Sequence, residues 1–318
     1  MTSRPYMSDI EAGGFEEAHG VPIGASGVEG SLTCRWPSAR PPVGYVVFCH
    51  GLGSSGHGYE ALSRHWARHG YLVMHPTFAD AINRVARDQP PLGLDPQADL
   101  SGWSGMPPVR EALFEILHSP AHWVGRVEAV RRVMDRLNDV LAATCGRPAR
   151  PLPGAIAGHS FGAYTAQLIA GAEIDLPDGT IGRFRDDRFR AAILLSAQGR
   201  NQQGLRDGSW DTVEGPVLNV TGTLDRGANG GDWRWKSEPF DRAPPGDKYL
   251  AVLDSADHYL GGFADTGAPP QFPAQQGAVR QLTLGFLDAH VLKCAAARDW
   301  LGSIDDRIDT CRLEFRRK

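Results

Sequence analysis

The chain is poor in cysteine, and its few cysteines form no pattern. It has five, an odd number, without any Cys-x-x-Cys pair. Structural zinc sites depend on closely spaced cysteine pairs, and disulfide frameworks depend on an even number of cysteines. We therefore expect free thiols and leave open only a bridge between Cys294 and Cys311. The five positions are Cys34, Cys49, Cys145, Cys294 and Cys311.

Long runs of one charge sign and long apolar runs are absent too. The 33 basic and 37 acidic residues leave a formal net charge of −4, which argues against a nucleic acid or an anionic membrane as partner. Apolar runs such as Ala191–Leu195 are far too short to span a bilayer, so no integral membrane segment is expected. Residues 1–14 lack the apolar centre of a secretion signal. We expect a cytoplasmic protein, or a secreted one if a signal has been removed.

The sequence also lacks the motifs that mark metal sites and phosphate-binding loops. His65 and His69 have the i, i+4 spacing of two ligands on a helix, but there is no His-Glu-x-x-His motif and no evident third ligand. The glycine-rich run 51–58 does not end in the Gly-Lys-Ser/Thr of a phosphate loop. We expect neither a metal nor a nucleotide at these positions.

What the sequence does have is a regular alternation of short apolar runs with helical patterns. Strands are predicted at 43–49, 71–74, 155–157, 191–196, 216–221 and 249–253. Helices are predicted at 59–69, 123–143, 163–172 and 273–297. Apolar strands that alternate with helices are typical of a mostly parallel sheet with helices on both faces. The predicted fold class is therefore α/β.

Segments that interrupt this alternation define the expected organisation. We expect an N-terminal extension over 1–42 with a leading strand or hairpin at 28–36, one α/β domain over 43–297, and a C-terminal tail over 298–318. Two insertions, 76–122 and 226–248, read as irregular. Because long irregular connections in compact domains are often functional, we expect them to form the pocket wall. Their aromatic residues are the candidates for substrate binding, with ordinary packing as the alternative: Trp103, Trp233, Trp235 and Phe240.

The pentapeptide Gly158-His159-Ser160-Phe161-Gly162 is the strongest functional signal. An apolar run precedes it and small, helix-like residues follow it, so the chain is predicted to turn sharply from a strand into a helix at Ser160. Glycine is needed on both sides, because a Cβ there would collide with the neighbouring strand or helix. Such a turn exposes the serine hydroxyl above the sheet, where it can act as a nucleophile.

A serine nucleophile needs a histidine base. In proteins with this type of turn, the base follows the serine along the chain. Two histidines follow far enough along the chain. His290 falls inside an apolar helical segment, whereas His258 lies in the turn after the strand 249–253. His258 is the predicted base.

The acid that orients the base is expected between the serine and the histidine. Asp225 lies just past the strand 216–221, at the sheet edge where catalytic groups collect. Asp254 and Asp257 are close to His258 in sequence, and we interpret them as turn residues. The predicted triad is Ser160, Asp225 and His258.

The tetrahedral oxyanion needs two backbone N–H donors. The residue after the nucleophile, Phe161, supplies one. The glycine-rich loop after the first strong strand, His50-Gly51-Leu52-Gly53, can curl toward the serine and supply the other from Leu52. We interpret His50 and His159 as structural supports.

Together these motifs resemble the α/β-hydrolase superfamily over residues 43–290. The loop 50–53, the serine pentapeptide, the run Thr221-Gly222-Thr223-Leu224-Asp225 and the pair Asp257-His258 are most similar to the branch of dienelactone-hydrolase-like and platelet-activating-factor-acetylhydrolase-like proteins. The resemblance implies an α/β-hydrolase fold and a serine esterase, which cleaves a small carboxylic ester through an acyl-enzyme without a cofactor. The chain departs from cysteine-type dienelactone hydrolases because it has a serine at 160.

The same triad also supports amidase, thioesterase and perhydrolase chemistry. A different class of protein, a binding protein that keeps this fold without activity, would lack a member of the triad. All three members are present in this chain. The sequence leaves open the acyl and alcohol groups of the substrate and the oligomeric state.

Overall fold

The computed structural model describes residues 5–23, 31–227, 230–263 and 272–318. Within these ranges the strands are β1 (Phe15–Pro22), β2 (Ser31–Pro37), β3 (Gly44–Cys49), β4 (Tyr71–Pro76), β5 (Gly154–His159), β6 (Ile174–Asp175), β7 (Ile181–Gly182), β8 (Ala191–Leu195), β9 (Val217–Gly222), β10 (Lys248–Leu253), β11 (Arg307–Ile308) and β12 (Cys311–Arg317). The α-helices are α1 (Glu60–Arg68), α2 (Ile82–Asp88), α3 (Pro107–Leu117), α4 (Pro120–Asp135), α5 (Leu137–Ala143), α6 (Phe161–Ile169), α7 (Trp233–Arg242), α8 (Pro273–His290) and α9 (Ala295–Gly302).

One large sheet organises the described part of the chain. Its ten strands lie in the order β1-β2-β4-β3-β5-β8-β9-β10-β12-β11. The strands from β4 to β10 in that order run parallel, whereas the pairings at both edges are antiparallel. β6 and β7 form a separate small ribbon. The predicted α/β class with a large, mostly parallel central sheet is therefore confirmed.

Helices flank the sheet because its central strands are apolar on both sides. Every residue of β3 is buried. Val47 and Cys49 pack in the core formed with α4 and α6, whereas Val46 and Phe48 pack in the core formed with α1 and α8. Burial on both faces removes these side chains from water and is the main source of stability. None of the helices in the described ranges combines the length and apolar composition that a bilayer crossing requires.

Both predicted insertions contain helices. The segment 76–122 includes α2 and α3, which enclose a small core of their own. Leu52 and Trp103 pack against this core, so the first insertion lies beside the loop that follows β3. The segment 226–248 includes α7, which packs on β9 and β10. Its residues 228–229 lie outside the described residues.

The expectation of a C-terminal tail over 298–318 is corrected by the structure, because this segment is part of the fold. It contains the end of α9 and the strands β11 and β12, and β12 pairs with β10. Cys311 and Leu313 are buried, whereas Arg312 and Glu314 between and after them are exposed. This alternation lets one face of the strand pack on the core. The two cysteines near this end, Cys294 and Cys311, are both unpaired, so the bridge left open is not formed.

Two helices and the leading hairpin also differ from their predicted bounds. The helix predicted at 123–143 is divided into α4 and α5 at Arg136, and the helix predicted at 273–297 is α8 followed by the start of α9. An antiparallel pair, β1 and β2, precedes β3. Residues 28–30 of the predicted leading element lie outside the described residues.

Candidate active site

The carboxyl ends of the parallel strands meet along one edge of the sheet, and the candidate residues follow these ends directly. Leu52 lies in the loop after β3, and Ser160 is the residue after β5. Asp225 and His258 lie in the loops after β9 and β10. The topology therefore gathers residues that are far apart in sequence at one place, which is where open parallel sheets bind ligands.

Ser160 occupies a strained turn between β5 and α6. Its backbone has φ 54° and ψ −119°, a conformation that costs a non-glycine residue about 1–3 kcal/mol. A Cβ on Gly158 would run into the backbone of Gly162, and a Cβ on Gly162 would run into the carbonyl of Cys49. The Ser160 N–H donates to the Leu195 carbonyl at 2.9 Å. The two glycines thus allow the close packing that holds the serine in this turn.

His258 and Asp225 form a hydrogen-bonded pair. The His258 Nδ1 lies 3.0 Å from the Asp225 Oδ1. The other carboxylate oxygen, Oδ2, accepts a hydrogen bond from the Thr221 hydroxyl at 2.9 Å. Asp225 is fully buried, whereas the His258 side chain is 29 % exposed. An ionised Asp225 accepts the Nδ1 proton, so Nε2 carries the lone pair of the neutral imidazole.

Asp225 remains ionised despite its burial. Burial alone would raise the pKa of this carboxyl, but the hydrogen bond from His258 and the positive charge of Lys236 outweigh it and bring the pKa well below its usual value. Ser196 contributes a further hydrogen bond in the same direction. The carboxylate is therefore available to orient His258 over the whole neutral range.

Ser196 and Lys236 are members of the site that no sequence motif indicates. The Ser196 hydroxyl lies 2.8 Å from the His258 Nδ1, and its backbone has φ 54°. The buried Lys236 donates from Nζ to the Ser196 carbonyl at 3.3 Å, and burial lowers its pKa. The available signal for Ser196 was its position at the carboxyl end of β8. Lys236 had none, because its segment reads as an irregular loop.

The two candidate oxyanion donors are Leu52, in the loop after β3, and Phe161, the residue after Ser160. Leu52 lines the same cavity as Ser160, and Phe161 is the first residue of α6. Among the hydrogen bonds of the described turns and helix ends, neither the Leu52 N–H nor the Phe161 N–H donates to an acceptor. A helix N-terminus has unpaired N–H groups by construction. Both amides can therefore donate to a ligand oxygen.

Tyr59 and His159 join the loop after β3 to the loop that carries His258. The His159 Nε2 donates to the His258 carbonyl at 2.7 Å, so Nδ1 must accept the hydrogen bond from the Tyr59 hydroxyl at 2.9 Å. The Tyr59 oxygen in turn accepts from the Gly51 N–H at 3.1 Å. Burial lowers the pKa of His159 to about 3, which keeps its ring neutral and this chain of hydrogen bonds intact.

A cavity of about 380 Å³ opens beside Ser160. Ser160 and His258 line it, together with Leu52, Trp103 and Trp235. The other two predicted aromatic residues lie elsewhere. Phe240 is buried with Leu250 and Val252, and Trp233 packs against that group, so the substrate-binding prediction is corrected for Phe240 and Trp233. Their helix turns them away from the cavity and onto β10.

The cavity lining is positively charged. Arg110, Arg226 and Lys236 line it, and no aspartate or glutamate does so among the described residues. Arg226 donates to the backbone carbonyls of Thr223 and Asp225. Arg110 and Arg226 are exposed, so the described cavity lining offers their guanidinium groups no carboxylate partner.

The described residues include no group of three or more histidine, cysteine, aspartate or glutamate side chains arranged to bind a metal. His65 and His69 contact each other in α1 and at its end, and the His69 Nδ1 donates to the His65 carbonyl at 2.8 Å. That bond uses one ring nitrogen of His69 for the end of the helix. Comparison with family models and with curated proteins finds no match to this chain.

Proposed function

We propose that the protein is a serine hydrolase of the α/β-hydrolase fold that cleaves a carboxylic ester through an acyl-enzyme. The observation that carries the proposal is the convergence of three features on one cavity. Ser160 sits in a strained turn, His258 lines the same cavity, and the buried Asp225 accepts from the His258 Nδ1. This is the combination that activates a serine hydroxyl.

The geometry suggests a division of labour. His258 removes the Ser160 proton through Nε2 as Oγ attacks the ester carbonyl, and Asp225 stabilises the imidazolium that forms. The Leu52 and Phe161 N–H groups donate to the oxyanion of the tetrahedral intermediate. His258 then gives that proton to the leaving alkoxide oxygen. In the second half of the reaction it removes a proton from a water molecule that attacks the acyl carbon, and it returns this proton to the Ser160 Oγ as the acid leaves.

The sheet supports the assignment to this fold. The nucleophile follows a central strand, β5, and the acid and base follow β9 and β10 on the same side of it. The order of the three residues along the chain is that of α/β-hydrolases. The fold would thus place the acid and the base at the ends of neighbouring strands, beside the strained turn that carries Ser160.

Active-site labelling tests the proposal. A fluorophosphonate probe is expected to add once to the wild-type protein, and peptide mapping is expected to find it on Ser160. Ser160→Ala should abolish labelling and lower kcat by several orders of magnitude. The residual rate should exceed that of the uncatalysed reaction in water by about 10³- to 10⁴-fold. Ser196→Ala is the matched control, since Ser196 lies in the same site and its loss should leave labelling on Ser160.

A panel of p-nitrophenyl esters from acetate to palmitate, run with a p-nitroanilide and a thioester, defines the reaction. The esters are expected to be hydrolysed much faster than the p-nitroanilide and the thioester. Full labelling of Ser160→Ala would contradict the assignment of the nucleophile. Faster cleavage of the anilide or the thioester would change the reaction class to amidase or thioesterase.

A further inference from the structure

Behind the candidate site lies a buried ion pair that the proposed mechanism does not use. Arg126 on α4 is 2 % exposed, and Asp80, in the loop after β4, is 1 % exposed. The guanidinium donates to both carboxylate oxygens, from Nε and Nη2, each at 2.8 Å. Taking two charges out of water is costly, and apolar residues of similar size often stabilise a fold better. Stability alone therefore does not explain this pair.

Arg126 contacts the loop that carries one candidate oxyanion donor and the side chain of the residue that carries the other. Its Nη1 and Nη2 each donate to the His50 carbonyl at 3.0 Å, two residues before Leu52. Its Cζ lies 4.2 Å from the centre of the Phe161 ring. Phe161 is the residue whose N–H is the other candidate donor. One planar cation thus links the loop after β3 to the start of α6.

Further contacts keep the guanidinium in one orientation. The Phe78 ring also lies against it, with its centre 4.2 Å from Cζ. The Phe78 N–H donates to the His50 Nε2 at 3.0 Å, and the His50 Nδ1 donates to the Gly51 carbonyl at 2.7 Å. Burial and the charge of Arg126 lower the pKa of His50 to about 4, so its ring stays neutral and can accept from Phe78.

We propose that Arg126, held by Asp80, is a positioning residue that sets the relative placement of the Leu52 and Phe161 N–H groups. Arg126 is not among the residues that line the cavity with Ser160, so it acts through the backbone of its neighbours. The inference rests on the proposed function, because the two amides need this alignment only if an oxyanion forms between them. A fixed separation of donors is what preorganised stabilisation requires.

Replacement of Arg126 tests the idea. Arg126→Lys keeps the charge but loses the planar fork and the stacking between the two rings. Losing one oxyanion donor outright lowers kcat about 10²- to 10³-fold, so misaligned donors are expected to lower kcat by about 10- to 100-fold. KM should change by less than about threefold, since the residue does not contact the ground-state substrate.

Arg35→Lys is the matched control. Arg35 is also fully buried, pairs with Glu17 at 2.8 Å and donates to the Ser63 hydroxyl at 2.9 Å. Neither partner lines the cavity. This variant should lose thermal stability as Arg126→Lys does, and keep the wild-type kcat.

A tetrahedral adduct gives a readout that a purely structural role would not move. A trifluoromethyl ketone accepts the Ser160 Oγ at its carbonyl carbon, and the serine proton passes to His258, which leaves a hemiketal oxygen in the oxyanion hole. Its pKa can be followed by ¹⁹F NMR against pH. In Arg126→Lys it should rise by about one unit or more over the wild-type adduct, and in Arg35→Lys it should not change.

Asp80→Asn provides a second variant that loosens the fork without emptying the site, and it decides the question if Arg126→Lys does not fold. It should also lower kcat at nearly constant KM. Wild-type kcat and wild-type hemiketal pKa in a folded Arg126→Lys or Asp80→Asn protein would overturn the positioning role and leave the proposed hydrolase intact. A wild-type protein that neither cleaves esters nor takes the fluorophosphonate would overturn both.

Discussion

At the scale of single residues, two side chains compete for one nitrogen of His258. The Nδ1 lies 3.0 Å from the Asp225 carboxylate and 2.8 Å from the Ser196 hydroxyl. A hydroxyl can both donate and accept, so Ser196 can donate to Asp225 while Nδ1–H points at both oxygens. Distance therefore does not rank the two. Charge does, because a carboxylate stabilises an imidazolium far better than a hydroxyl.

Substitution at the two positions separates these roles. Asp225→Asn is expected to lower kcat by about 10⁴, because an amide favours the wrong tautomer of His258. Ser196→Ala is expected to lower kcat by less than about tenfold, because the carboxylate remains as acceptor. Steady-state hydrolysis of a p-nitrophenyl ester by both variants measures the difference. Equal losses would mean that Ser196 orients the base as strongly as Asp225.

The candidate triad has signals in the sequence, because its members follow recognisable strands in a fixed order. Ser160 has a motif, and Asp225 and His258 each come shortly after an apolar strand. Tyr59 and Arg126 could not be predicted, because their roles depend on hydrogen bonds to backbone groups of distant residues. Such partners leave no spacing in the sequence, and only the packed structure pairs them.

At the scale of elements, α7 explains why two neighbouring tryptophans have different surroundings. Trp233 and Trp235 are two positions apart, and a helix turns them about 200° from each other. Trp235 lines the cavity and donates from its indole to the Arg200 carbonyl at 2.9 Å. Trp233 packs toward Phe240 on the other side. One helix therefore contributes to the cavity and to the cover of β10.

The two tryptophans form a matched pair for a specificity experiment. Trp235→Ala should change the ratio of kcat/KM between a long-chain and a short-chain ester by about tenfold or more, since a lost apolar contact affects only the substrate that uses it. Trp233→Ala should lower Tm and leave the ratio unchanged. The ester panel and a thermal melt check both. A constant ratio in Trp235→Ala would exclude this wall from substrate selection.

The helices of the insertions have signals that a search for apolar periodicity misses. Asp232 precedes α7 and accepts from the Arg234 N–H at 3.0 Å, which is the role of an N-cap. Two prolines open α3, the position where proline is tolerated. The interior Pro239 and the glycines before α7 hide its helical pattern. The central strands were easier to predict, because burial on both faces makes them continuously apolar.

At the scale of the whole molecule, buried histidines couple stability to pH, and His50 and His159 are two of them. Burial, the largest cause for each, lowers the pKa of His50 to about 4 and of His159 to about 3, from 6.5. Below pH 6.5 the unfolded chain therefore binds protons that the folded protein does not. The folded state consequently loses stability as the pH falls from about 6.5 toward 4.

Urea denaturation at pH 7, 6 and 5 measures this effect. The free energy of unfolding is expected to fall below pH 6.5 by up to about 1.4 kcal/mol per pH unit for each histidine. His159→Gln keeps a donor for the His258 carbonyl and should give a shallower slope. A free energy that does not change between pH 6.5 and 5 would show that these rings are protonated in the folded state.

The edges of the sheet were the least predictable part of the fold, because antiparallel strands there are short or only half buried. β1 has a register shift between Ala18 and Val21, and β12 alternates buried and exposed residues. Neither gives the continuous apolar run of a central strand. The sequence pattern therefore predicts the parallel strands at the centre of the sheet, whereas it does not reveal the strands within 298–318.

The position of β12 also bears on edge-to-edge pairing of the sheet with other molecules. Without β12, the N–H and C=O groups along one side of the apolar, buried β10 would be free to pair with a strand of another molecule, which is how aggregation starts. β12 satisfies those groups and presents Arg312, Glu314 and Arg316 instead. At the opposite edge, the irregular β1 carries Glu16, Glu17 and Pro22. Beyond β12 this end of the sheet carries the two-residue strand β11. Both ends therefore offer short strands, charge, irregularity or proline to a neighbouring molecule, features that keep a long sheet from growing into a fibril.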